Sequence, residues 1–226
     1  MDLEKVLEEV FEADRSLRAA ESRLLATKDR SALAQALARR VASEREKKAP
    51  GSSDRLARLA DLCAQVPAQA TLDALIRILD HDDPAVRTEA GEALRDLGID
   101  RFKDVRSAVE RALGAKDLHL ALEELPFVLA ELGDPPSVEL VARFLRLGDP
   151  AAVASGIEAL AAMGDPAAIE HLRKLEGDTR EVTLEEEGVG ELRMTVGELA
   201  QDAIAELTAE SPDDPADEAP GGASRS

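Results

Sequence analysis

One internal ruler constrains this chain more than any other feature. Gly98, Gly133 and Gly164 each close an apolar-periodic segment, as "LRDLG", "LAELG" and "LAAMG", and Thr208 after "IAEL" takes the fourth place. Four residues before each mark stand Leu94, Leu129, Leu160 and Ile204, one before stand Leu97, Leu132, Met163 and Leu207, and twelve before stand Val86, Ala121, Ala152 and Val196. The segments upstream align at their own ends. Leu79, Leu113, Leu145 and Leu175 close "LDALIRIL", "VRSAVERAL", "VELVARFL" and "AIEHLRKL" at steps of 34, 32 and 30 residues. Apolar residues three and four apart within each half make the unit a pair of amphipathic helices. One such pair cannot bury its apolar side alone, so successive pairs must stack.

The joints of the unit carry start and stop signals. Asp83 precedes Pro84 and Asp149 precedes Pro150, and the same dipeptide follows Gly133 and Gly164. An Asp carboxylate accepts from the unpaired amides of a first turn, and Pro at the first helical position loses nothing by lacking an N–H. Glycine at the far end predicts a left-handed C-cap at Gly98, Gly133 and Gly164, an option Thr208 lacks. The unit therefore reads helix, Asp-Pro turn, helix, Gly.

This pattern resembles the HEAT repeat in its bacterial HEAT-like form, found also in phycobilisome lyases, with "LDALIRILDHDDPAVRTEAGEALRDLG" at 72–98 the best copy and residues 71–208 covered. The resemblance implies an all-α, right-handed α–α superhelix and a binding role. It also implies that Arg87, the one position that keeps the family's Arg after Val, ties neighbouring repeats together. The second copy departs most, with Pro126 inside "LEELPFVLAELG". The function expected from the resemblance is a non-enzymatic adaptor or scaffold that binds another protein through its second helices. The alternative it offers is handling of a phycobilin chromophore or its carrier protein.

Residues 1–50 read as a separate N-terminal helical hairpin or cap. Leu3, Val6, Val10, Ala13, Leu17, Ala20 and Leu24 alternate steps of three and four, a heptad seam, and a second helix follows with Leu33, Leu37 and Val41 before Pro50 and Gly51. That seam either packs on the next helices or dimerises as a short coiled coil. Residues 51–208 form the repeat solenoid, and 209–226, rich in Pro, Asp, Glu, Gly and Ser, form an acidic tail expected to be disordered. The last repeat is longer than the others, with Gly164 and Thr208 being 44 residues apart. The extra residues lie in "EVTLEEEGVGELRMT", which reads as a β-hairpin at about 180–195, with Thr195 as N-cap of the final helix and Glu198 completing a capping box. A phosphate loop is excluded there, because Arg193 stands where a third glycine belongs and no Gly-Lys-Ser/Thr follows.

Composition narrows the function classes. Trp and Tyr are absent and Phe occurs four times, so the core must be aliphatic. The net charge is −19, and the excess of acid falls in the repeats and the tail, since residues 1–50 hold 11 basic and 10 acidic side chains. An acidic body without stacking aromatics repels a phosphate backbone, which argues against nucleic acid and for a protein partner with a basic surface. One cysteine, Cys63, and three scattered histidines give no metal or cofactor set. No signal segment or membrane span is legible, so a cytoplasmic location is expected. Arg outnumbers Lys 21 to 7, consistent with a GC-rich bacterial genome.

Positions ten, six and two before each mark share one helical face. They are Thr88, Glu92, Asp96; Glu123, Phe127, Glu131; Ala154, Glu158, Ala162; and Glu198, Asp202, Glu206. Eight are acidic and none is basic, so this stripe is the expected contact surface. Phe127 is either its apolar anchor or a side chain that Pro126 turns into the core.

Overall fold

The computed structural model describes residues 2–47, 49–132, 136–186 and 190–209. The described part is mostly helical, with one small antiparallel hairpin. The chain divides into two compact units, Met1–Leu132 and Gly133–Ser226. Gly133, residues 187–189 and residues 210–226 lie outside the described residues.

The first unit contains α1 (Leu3–Leu25), α2 (Arg30–Lys47), α3 (Ser52–Ala64), α4 (Gln69–Leu79), α5 (Pro84–Ala112) and α6 (Leu120–Ala130). Helix α4 is its centre. Leu72, Leu75, Ile76, Ile78 and Leu79 are all buried, because α2 and α3 pack on one side of it and α5 and α6 on another. A helix apolar nearly all round belongs in such a place. Helix α2 buries Leu33, Leu37 and Val41 as their spacing predicts. Helix α1 buries none of its residues, so the heptad seam does not pack on the next helices. An ion pair from Glu21 to Arg58 of α3 links it to the body, and Arg30 of α2 donates to the Leu25 carbonyl at its end.

The Asp-Pro starts are present. Asp83 Oδ1 accepts from Ala85 N at 3.0 Å and Asp149 Oδ1 from Ala151 N at 3.1 Å. Gly98 does not end a helix. The helical segment runs on past it, and α5 reaches Ala112 as two helices that meet at a kink at Arg101 (φ −133°, ψ 38°). The glycine answers a packing need instead, since a Cβ at Gly98 would lie 2.6 Å from the Leu132 methyls. Gly164 does take the left-handed conformation, with φ 64°.

The second unit contains α7 (Pro136–Val141), α8 (Pro150–Ala162), α9 (Ile169–Leu172) and α10 (Val196–Ala209), with three single-turn 3₁₀ segments at Phe144–Arg146, Pro166–Ala168 and Arg173–Leu175. Phe144 is fully buried beside Gly156 of α8, whose missing Cβ makes room for it. Strands β1 (Glu181–Glu186) and β2 (Gly190–Thr195) pair antiparallel, Glu181 opposite Thr195 and Val182 opposite Met194. The predicted capping box closes β2 onto α10, with Glu198 N donating to Thr195 Oγ1 at 3.2 Å and Thr195 N to Glu198 Oε2 at 2.7 Å. At the base of the hairpin Arg180 donates to both Asp178 oxygens and to the carbonyls of Leu147 (2.8 Å) and Gly148 (3.1 Å). This anchors the insertion to the turn before α8.

Candidate protein-binding groove

Helices α5 and α6 approach closely because α5 offers glycine twice on the contact face. A Cβ at Gly91 would meet Val128 at 3.7 Å, and seven residues on Gly98 receives Leu132. Small residues at a helix crossing let the partner's larger side chains sit between turns. Above this seam the two helices leave a groove of about 240 Å³ with Phe127 and Val128 on one wall and Arg87, Gly91 and Arg95 on the other.

Phe127 is 36% exposed, while Pro126 and its neighbours Leu125 and Val128 are buried. Pro126 lies within α6 and does not turn Phe127 into the core. Two ion pairs cross the groove on either side of the ring. Arg87 Nε donates to Glu124 Oε1 at 2.7 Å, and one terminal nitrogen of Arg87 donates to the carbonyls of His81 and Asp82. An Arg95 terminal nitrogen stands 2.7 Å from Glu131 Oε2, and the other 3.9 Å from Glu92. Arg87 thus ties α5 to α6, and its acidic partner is Glu124.

Glu131 is exposed at the groove, Glu92 and Asp96 are exposed on α5, and Glu123 is half-buried on α6. The Thr88 hydroxyl donates back to Pro84 O. Within this unit Phe127 and Glu131 line one groove with Glu124, Arg87 and Arg95, and Glu92 approaches Arg95 from the same helix. In the second unit Glu158 is exposed on α8, where partial desolvation pushes its carboxyl above the ordinary value of 4.5. Glu198 is committed to its cap, and the hydrogen bonds from Thr195, backbone first, hold its carboxyl below the usual range. Asp202 and Glu206 are exposed along α10.

The resemblance pointed to Arg87, but sequence reasoning missed Arg95 because it counted residues at single columns. Arg87 and Arg95 lie eight apart, on one face two turns long, and a long guanidinium stem crosses to the next helix. It also missed Asp80, the last residue before the α4–α5 turn. Asp80 Oδ1 accepts from His119 N at 2.8 Å and Ala121 N at 3.3 Å, capping α6 from another helix, while its Oδ2 accepts from Arg45 of α2 at 2.8 Å. That contact fills one side of a second hollow of about 710 Å³ between the ends of α2 and α4 and the start of α3. There Glu44, nearly fully buried, accepts from Arg55 Nε at 2.7 Å, which lowers its pKa. Arg77 donates to Asp117 at 3.1 Å and holds that carboxyl below its ordinary value.

Cys63 is fully buried among apolar side chains, and desolvation pushes its thiol up to about 12, so thiolate chemistry is suppressed there. The histidines make separate contacts: His81 Nδ1 accepts from Asp83 N, and His171 Nε2 lies 3.2 Å from Glu139. Among the described residues no helix is long and apolar enough to cross a membrane.

Neither a family model nor a curated protein matches the chain. Among solved structures, a crystal structure of an engineered protein from the Northeast Structural Genomics Consortium is similar over 84% of this chain and 96% of that one, at 18% identity and a TM-score of 0.34. A likeness of that size carries no argument about fold or function.

Proposed function

We propose that this protein is a non-enzymatic adaptor of the HEAT-like α-solenoid class, bacterial and cytoplasmic, that binds another protein along the second helices of its repeats. The observation that carries the reading is Phe127, a large apolar side chain left at the mouth of a groove and ringed by charged groups. Aromatic anchors in such settings dominate binding energy once a partner excludes water from them. Glu124 and Glu131 balance Arg87 and Arg95 in the groove lining, and Glu92, Asp96 and Glu123 add negative charge on the same two helices. The partner is therefore a protein that offers an apolar side chain for the groove and basic groups around it. Glu158, Asp202 and Glu206 extend an acidic character to the second unit. Glu198 is the least useful contact residue of the set, since its carboxylate is occupied at the cap.

The test uses the full chain as bait in its native cell, followed by titration of the captured protein against variants. Phe127→Ala should weaken the complex at least tenfold, and Glu123→Lys with Glu131→Lys should weaken it further and flatten its salt dependence. If Phe127→Ala lowers the melting temperature but leaves the affinity unchanged, the groove is not the binding site.

A further inference from the structure

Helix α1 is a 23-residue helix with no buried residue. At a rise of about 1.5 Å per residue it is about 34 Å long. Leu3, Val6, Leu7, Val10, Phe11, Leu17 and Leu24 are all at least 37% exposed. An isolated helix of this kind leaves a continuous apolar stripe in water, which monomeric proteins seldom retain.

The charges and side-chain sizes along α1 select what covers it. Residues 2–12 carry five acidic groups and one basic group, whereas residues 13–25, to the end of α1, carry three basic and two acidic. The helix is thus acidic at its start and basic toward its end, so two copies attract when they run in opposite directions. We infer that α1 pairs with α1 of a second copy of this chain as an antiparallel coiled coil. This inference is independent of the groove at Phe127.

The heptad register supports that orientation in two ways. With Leu3, Val10, Leu17 and Leu24 at a and Val6, Ala13 and Ala20 at d, Glu9 and Arg23 fall at g. Antiparallel strands place g beside g, and one register sets Glu9 against Arg23 of the second copy, twice by symmetry. The same register opposes Val6 with Leu24, Val10 with Ala20 and Ala13 with Leu17. Each alanine then meets a larger residue. A parallel pair would instead place Ala13 on Ala13 and Ala20 on Ala20, leaving two thin layers, and would set Glu9 beside Asp14 twice, whereas the antiparallel register sets Asp14 beside its own copy once and offsets it with two Glu9–Arg23 pairs. Leu7 and Phe11 widen the stripe near the start of α1. In the antiparallel pair they lie over the end of the second copy's α1, where the chain turns into the net-basic α2–α3 stretch. An anionic membrane surface is a poor alternative occupant, because the apolar end of the helix is its acidic end.

Sedimentation equilibrium of the full chain over a dilution series tests this. The expected result is a monomer–dimer equilibrium that the double variant Val10→Glu, Leu17→Glu abolishes. Both positions are exposed, so circular dichroism and the melting temperature of the dilute protein should stay as in the wild type. Glu9→Arg alone should weaken the dimer, and Glu9→Arg combined with Arg23→Glu should restore it. A monomer at every concentration would overturn the proposal, as would a dimer that survives the double variant. Strengthening by Glu9→Arg would overturn the antiparallel orientation, since that change relieves the repulsion expected of a parallel pair. Binding of the full chain to anionic vesicles without self-association would replace the second copy with a membrane.

Discussion

Replacing Gly197 with alanine should loosen the joint between the hairpin and the last helix. A Cβ there would stand 2.8 Å from the Glu176 carbonyl oxygen and 2.9 Å from that of Asp178, where ordinary contact begins at 3.4 Å. The obstacle is backbone, so α10 or the turn at 176–178 must move by about 0.5 Å. Overpacking of this size costs about 1–3 kcal/mol. The movement strains two hydrogen bonds, Gly197 N to Asp178 O and Val196 N to Arg180 O, both 2.9 Å. Each is worth about 1 kcal/mol. Alanine's better helix propensity returns about 1 kcal/mol. The net effect is a loss of about 1–4 kcal/mol, and at roughly 2–4 °C per kcal/mol for a chain of this length the melting temperature should fall by several degrees. Gly177 is the control, because nothing lies within 4 Å of its added Cβ. Gly177→Ala should be neutral or stabilise by up to about 1 kcal/mol. Scanning calorimetry of both variants decides the matter. If Gly197→Ala melts at or above the wild-type temperature, the close approach seen at Gly197 does not constrain the fold.

Asp80→Ala removes the cap on α6 and the partner of Arg45 together, and should cost about 2–4 kcal/mol in urea denaturation; a loss under half a kcal/mol would mean that neither contact matters. Arg180 holds the Asp178 carboxyl below its ordinary value of 3.8, chiefly through side-chain hydrogen bonds. Its stabilising contribution is therefore complete above that value and is lost as the pH falls through the lower folded-state pKa. Asp178→Asn should flatten the acid side of the stability profile while leaving its shape near neutrality unchanged, as followed by thermal melts down the pH scale. The Cys63 thiol should resist alkylation in the folded protein and react fully in denaturant. Rapid labelling of the native chain would show that its helix opens far more often than its burial implies.

The fold was legible wherever a local signal coincided with the repeat. Asp83 and Asp149 cap as their Asp-Pro sequences predict, Gly164 adopts its left-handed turn, and the excess length before Thr208 is the hairpin, closed by the Thr195–Glu198 box. What misled was reading one residue type as one role. Gly98 looks like Gly164 in sequence, yet Leu132, 34 residues away, decides that it is a contact point inside a helix. No local pattern carries that information. The candidate site was legible in its columns and not in its cross-links. Glu131 and Phe127 were recognisable by register, but the arginine that reaches Glu131 sits outside the counted positions on a different helix. Exposure of α1 was likewise hidden, because a heptad seam looks the same whether its partner is the next helix or another molecule.

The continuity of α5 past Gly98 bears on how the first unit comes apart. In an array of separate helix pairs the end pair can fray and leave its neighbours folded, giving amides a graded range of exchange rates. Here the two segments of α5 follow one another across a kink at Arg101 with no intervening turn, and α5 packs against α3, α4 and α6 together. Melting either segment alone would strip α4 of part of its cover, and the kink at Arg101 is the weakest point of the joint. Amides of α4, α5 and α6 should therefore exchange with deuterium as one cooperative block, with early leakage confined to the few residues around Arg101.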